Sequence, residues 1–145
     1  MPSNECIPFI DGPVTQLTAL TTAAVTGKRL VAPSADRESG PGLASDGTTG
    51  VNIKVAHASA NGVAIGVAAY DIASGARGPV IHDGVVPITA DGAIAAGDRV
   101  VVGATGKAKT YDGTVTGNAQ TVPFIVGIAL TAAADGDDAE ILLTL

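Results

Sequence analysis

"VVVGATGKAKT", residues 100–110, is the stretch on which the fold class turns. It starts as an apolar strand, passes two glycines and reaches a lysine, as a phosphate-binding loop does. A Walker A loop needs four residues between its glycines and a Ser or Thr after the lysine. That length wraps backbone N–H groups around the phosphates, and the hydroxyl holds magnesium. Here only Ala104 and Thr105 separate Gly103 from Gly106, Val101 stands where the first glycine belongs, and Ala108 follows Lys107. The stretch contains no Gly-x-Gly-x-x-Gly either. What remains is a β-hairpin: Val100 to Val102 outward, a Gly-Ala-Thr-Gly turn, and Lys107 to Tyr111 back. The glycines supply the positive φ such turns require.

The same grammar extends in both directions. Val51, Ile53 and Val55 alternate with Asn52 and Lys54 and share one face, and Val63, Ile65 and Val67 recur at the same period of two. Phe124, Val126, Ile128 and Leu130 share one face of a further run, opposite Ile125, Gly127 and Ala129. The closing run turns Ile141, Leu143 and Leu145 inward. Period-two alternation marks half-buried strands. Asn61-Gly62, Ser74-Gly75, Asp83-Gly84, Asp91-Gly92, Asp112-Gly113 and Asp135-Gly136 punctuate these runs as turns. No stretch carries helical spacing with a cap at each end. The expectation is an all-β fold, a compact barrel or sandwich of short antiparallel strands, roughly eight to ten by this spacing. No segment repeats itself convincingly.

Three segments stand apart. Residues 1–13 hold Pro2, Pro8 and Pro13 and read as an extended N-terminal arm, leaving residues 14–145 as a single β-rich domain. Residues 33–50 and 112–122 are polar and Gly/Ser/Thr-rich, hence long surface loops.

Composition narrows the function. The 145 residues suit one domain, and 46% are hydrophobic, mostly Ala and Val, with no Trp, two Phe and two Tyr. A core of small side chains buries little area per residue, which favours assembly into something larger. The net charge is −6 and the eight Lys and Arg are scattered, so the basic stripe that nucleic acid requires is missing. The longest apolar run, Val63 to Tyr70, is too short to span a membrane, and the start has no secretory signal pattern. Cys6 has no second cysteine to pair with in the chain.

Catalytic and metal readings find little support. His57 continues the apolar parity of Val51, Ile53 and Val55, which suits a packed histidine with one hydrogen bond. His82 precedes Asp83-Gly84 in a turn, and no Gly-x-Ser-x-Gly elbow is present. Asp135-Gly136-Asp137-Asp138 fails the EF-hand loop, which places its glycine sixth and a glutamate twelfth; it reads as an exposed turn before the last strand. Two distant histidines and one cysteine cannot close a zinc shell. No cofactor, metal ligand set or catalytic residue is expected, and the chain does not read as an enzyme.

"GVVPITADGAIAAGDRVVVGATGKAKT" (84–110) and "VPFIVGIALTAAADGDDAEILLTL" (122–145) carry a familiar order: a Gly-Val strand, an Ala-Ile-x-Ala-Gly-Asp-x-Val segment, a Gly-rich hairpin, an Ile-Gly-x-Ala strand, and an Asp-Gly-Asp turn before a final apolar strand. With "AVTGKRLVAPSA" and "GVAIGVAAYDIASGARG" upstream, residues 14–145 resemble the small capsid decoration (cement) proteins of tailed bacteriophages. The resemblance implies a β-rich structural virion protein on the outer surface of an assembled capsid, made in the host cytoplasm. Its implied partner is the major capsid protein. It often acts as a homotrimer at three-fold or local three-fold positions, bridging neighbouring capsid subunits, with no nucleic acid, membrane or cofactor. Apolar Ile7, Pro8, Phe9 and Ile10 make the arm the candidate capsid or inter-subunit contact. An alternative use of loops 33–50 and 112–122 is receptor or glycan binding at a virion surface, which the scarcity of stacking aromatics disfavours.

Overall fold

The computed structural model describes Asn4 and residues 16–36, 53–113 and 124–145. Among them are ten strands: β1 (Gln16–Thr21), β2 (Leu30–Ala35), β3 (Ile53–His57), β4 (Gly66–Ala68), β5 (Arg77–Ile81), β6 (Val85–Thr89), β7 (Arg99–Val102), β8 (Ala108–Thr110), β9 (Gly127–Ala129) and β10 (Asp138–Leu143). The expected all-β class is the observed one. The opening stretch is a hairpin. Val100, Val101 and Val102 pair with Thr110, Lys109 and Ala108, and a short 3₁₀ turn, Ala104–Gly106, joins the strands. Of the turn glycines, Gly75, Gly84, Gly92, Gly113 and Gly136 take positive φ; at Asn61-Gly62 the asparagine takes it instead.

The strands form two sheets. The first is a closed barrel in the order β1-β3-β2-β4-β5, and the second runs β6-β10-β9-β7-β8. The second repeats the first, which corrects the expectation of no repeat. β1 and β5 set Gln16 opposite Ile81 and Leu20 opposite Arg77; β6 and β10 set Val85 opposite Leu142 and Thr89 opposite Asp138. β2 and β4 pair Leu30 with Val67, and β7 and β9 pair Arg99 with Ile128. Val31·His57 between β2 and β3 returns as Val100·Thr110. The parallel β1–β3 contact returns as one parallel bridge, Ala90 to Ala108. Loop contacts follow suit: the Val25·Ile72 bridge matches Ile94·Ala133. Lys28 N–H to the Ala68 carbonyl matches Gly97 N–H to the Ala129 carbonyl. The chain is a tandem pair of five-stranded units with one topology.

The core follows from the repeat. Ala19, Val25, Val31, Val55, Ala68, Ile72 and Val80 fill the first barrel. Their counterparts Ile88, Ile94, Val100, Ala108, Ala129 and Ile141 belong to the larger second cluster, and Ala133 packs against it. That cluster also takes in Leu30, Val67 and Ile81 from the outer wall of the first unit, each at most 1% exposed. The pleat puts these three on the face opposite Val31, Ala68 and Val80. One unit therefore buries its wall against the other. Thr89 N–H to the Lys28 carbonyl (3.1 Å) and Asn61 N–H to the Val102 carbonyl (2.8 Å) tie the two together.

Three strand expectations need correction. The 63–67 run is a strand only over Gly66–Ala68, with Val63 56% exposed. Ile128 and Leu130 do not share the burial of Val126. The alternation breaks where Val126 N–H bonds to the Val100 carbonyl ahead of β9, so Val126 and Gly127 are buried in succession and Ile128 and Leu130 turn outward. Ile141 and Leu143 face inward as expected, whereas Leu145, past the last ladder pair, is exposed.

Candidate functional site

The residues that could carry chemistry are absorbed by structure. His57 ends β3 half-buried, and its Nε2 accepts a hydrogen bond from Thr26 N–H at 2.9 Å. Burial, then the nearby Arg29 charge, holds its pKa below the usual 6.5. This is the packed histidine the parity implied. His82 follows β5 in the connection to β6, where Asp83 Oδ1 accepts Gly84 N–H at 2.8 Å. The acidic turn is divided among structural tasks. Asp135 Oδ1 accepts Gly92 N–H at 2.9 Å, and Asp138 pairs with Lys28 and accepts the Thr89 hydroxyl at 3.1 Å. Among the described residues no three His, Cys, Asp or Glu gather as a metal site.

Two carboxylates, Asp71 exposed and Asp98 partly so, lock loops. Asp71 accepts Gly27 N–H at 2.8 Å and the Asn4 side-chain amide at 3.1 Å; these bonds hold its carboxyl below the ordinary range. Asp98 accepts Ala95 N–H and the Thr110 hydroxyl, both at 2.9 Å, with the same effect. Gly27 also leaves room for the chain at Asn4, whose carbonyl a Cβ there would strike.

The junction between the units is polar at its margin. Lys28 Nζ lies 2.6 Å from Asp138 Oδ2, with the two side chains 12% and 30% exposed. Arg29 Nη1 donates to Thr105 Oγ1 at 3.1 Å, and Thr105 holds positive φ although β-branched. A cavity of about 240 Å³ opens beside these residues, lined also by Thr89 and Asp137. Opposite charges meet across it, Lys28 from the first unit and Asp138 from the second.

The surface carries the more informative feature. Ile128 and Leu142 stand directly opposite each other on β9 and β10, and Leu130 continues the same face; they are 39%, 39% and 46% exposed. Pleat alternation puts them on the outer wall of the second unit, at the positions Val67, Ile81 and Ala69 hold in the first. There Val67 and Ile81 are buried and Ala69 packs on the shared core. The alternation of 124–130 pointed to an apolar face but not to its exposure. The expected contact residues Ile7, Pro8, Phe9 and Ile10 lie outside the described residues. So do Cys6 and most of loops 33–50 and 112–122.

Comparison with known proteins agrees with this anatomy. The family model for phage cement protein matches residues 10–145. No curated protein matches the chain. Among solved structures, the head fiber gp8.5 N base of bacteriophage phi29 superposes with a TM-score of 0.65 at 22% identity, covering 91% of this chain and 95% of that one. At that identity the likeness is one of fold. The chain belongs to the phage cement protein family and is a capsid-associated structural protein of the virion.

Proposed function

We propose that this member of the phage cement protein family binds the outer surface of an assembled capsid and stabilises it by bridging neighbouring major capsid subunits. It does so as a homotrimer at three-fold or local three-fold positions, after synthesis in the host cytoplasm. The observation that carries the reading is the family match over residues 10–145, nearly the whole chain. The composition supports it: a small-residue β domain gains stability from what it docks on. The division of labour is an arm, residues 1–13, attached to one β-rich body, residues 14–145. In the arm, Ile7, Pro8, Phe9 and Ile10 contact the capsid or a neighbouring subunit, and an extended apolar segment of this kind adds to a sheet edge. No catalytic step is part of this role.

The test is co-sedimentation of the purified chain with emptied, expanded capsids, read as bound copies against free concentration. Saturable binding at a fixed stoichiometry, with a raised capsid melting temperature, is the expected result. Deleting residues 1–13 is expected to lower occupancy while leaving the circular dichroism spectrum unchanged. A chain that stays free of every capsid offered overturns the reading. Equal occupancy after the deletion removes the arm from it.

A further inference from the structure

We infer that the outer wall of the second unit is the face that meets the capsid subunit, and that it receives an apolar patch carrying a lysine or arginine. This rests on the capsid reading and adds to it the face used and the chemistry of the partner. Strand register makes the wall one continuous surface. Leu142 stands beside Val85 on one side and Ile128 on the other, and Ile128 stands beside Arg99. One step along the same faces, Glu140 stands beside Pro87, and its carbonyl accepts Leu130 N–H at 2.7 Å. Ile128, Leu130 and Leu142 are thus three corners of a block whose fourth corner is Glu140. The other exposed large apolar side chains among the described residues, Val63, Tyr70 and Leu145, lie off this face. Exposed apolar side chains scattered singly mean little, whereas a contiguous group marks a contact surface. In the first unit the equivalent wall is buried in the joint, so this one is what the joint leaves free.

The partner's chemistry follows from the charge around the wall. Residues 82–145 hold eight Asp and Glu against three Lys and Arg, whereas residues 1–81 hold six against five, so most of the net charge belongs to the second unit. Asp83 precedes the wall at its Val85 end, Asp137 and Asp138 lie at the other end, and Glu140 stands within it. Lys28 matches Asp138, but among the described residues nothing pairs with the carboxylates of Asp137 and Glu140. An apolar block holding an unpaired carboxylate suits a surface of the opposite sign. A lysine or arginine there lays its stem on Leu130 and Leu142 and brings its charge to Glu140. The same wall on a second copy, set face to face, would bring carboxylate against carboxylate and is disfavoured.

The experiment is co-sedimentation of full-length protein with emptied, expanded capsids at low and high salt, with light scattering of each variant alone. Leu142→Glu is expected to weaken capsid binding about tenfold or more, and Leu130→Ser, the milder wall variant, by less. Val63→Glu, exposed but off the wall, is expected to bind as the wild type does. Glu140→Gln is expected to flatten the salt dependence of binding. Glu140→Lys should cost more than Glu140→Gln, because a cation then faces a cation. These side chains lie at the surface, so melting profiles should match the wild type; Leu130→Ser carries the test should Leu142→Glu unfold. Wall variants that bind as tightly as the wild type, or a Val63→Glu chain that loses as much as Leu142→Glu, overturn the inference and leave the capsid reading standing. Light scattering that shows Leu142→Glu breaking the free chain's own assembly also overturns it, since the wall is then a contact between copies. Glu140→Lys that binds as well as the wild type overturns the basic partner. A wild type that stays free of every capsid ends the capsid reading and this inference together.

Discussion

At the scale of the residue, His57 shows how a titratable group can be structural. Its Nε2 accepts the Thr26 N–H, which only a ring unprotonated at that nitrogen can do. Burial and Arg29 depress its pKa in the fold. The unfolded chain therefore binds a proton near the ordinary 6.5 that the folded chain takes up only at lower pH. The unfolded state binds more protons through that window, so the stabilisation is full above 6.5 and is lost as pH falls through the folded pKa. Urea midpoints measured from pH 7.5 to pH 5 are expected to fall for the wild type. They should fall less for His57→Gln, which can offer an oxygen to Thr26 without titrating. Equal pH slopes for the two proteins would refute the assignment. The histidine was legible in the sequence because it sat in step with Val51, Ile53 and Val55. Its donor, Thr26, lies in a distant loop and was not.

At the scale of the element, β4 and β9 are the same device built twice. Gly66-Val67-Ala68 and Gly127-Ile128-Ala129 each begin with a glycine pressed on the adjacent strand of its own unit. A Cβ on Gly66 would lie 2.5 Å from the Ile81 carbonyl oxygen, and one on Gly127 would strike the Leu142 carbonyl oxygen. Backbone cannot step aside as a side chain can. Gly66→Ala and Gly127→Ala are therefore each expected to cost about 2 kcal/mol or more by overpacking. Gly75→Ala serves as the contrast. Its φ is +75° with nothing within 4 Å of the added carbon, so only backbone strain of about 1 kcal/mol applies. Denaturant midpoints that ranked Gly75→Ala as the worst of the three would contradict this account. The repeat itself escaped the sequence for a reason of register. "TGKRLV" (26–31) and "AGDRVV" (96–101) look alike with Gly27 set on Gly97. The hydrogen bonds instead match Lys28 to Gly97, one residue out of step. A slip of one residue exchanges the two faces of a strand, so the apparent match sets interior on exterior and dissolves on inspection.

At the scale of the whole molecule, the joint between units decides cooperativity. Lys28 adopts φ +59°, where its counterpart is Gly97. Such a conformation costs a long side chain about 1 kcal/mol. The partly buried pair with Asp138 offsets that cost. A double-mutant cycle on Lys28→Met and Asp138→Asn is expected to give a coupling of about 1 kcal/mol, larger than an exposed pair yields. A coupling near zero would assign the joint to the buried wall of Leu30, Val67 and Ile81 and to the hydrogen bonds at Thr89, Asn61 and Arg29. With those side chains shared between the units, calorimetry should show one unfolding transition, and the cycle should not split it.

The sequence by itself determined the class, the turns and the alternation of most strands. Alternation at period two and Asp-Gly or Asn-Gly punctuation are local properties that each segment carries alone. The failed spacing of Gly103 and Gly106 excluded the phosphate loop on the same local ground. The order of motifs across residues 14–145 was enough to carry the resemblance to cement proteins. Which apolar face is buried was decided only by tertiary structure. Val67 and Ile128 occupy one position in one motif, yet the first is buried and the second exposed, because a second unit lies over the first wall and none lies over the second. Burial is a property of what lies opposite, and what lies opposite is set by contacts between residues far apart in the chain.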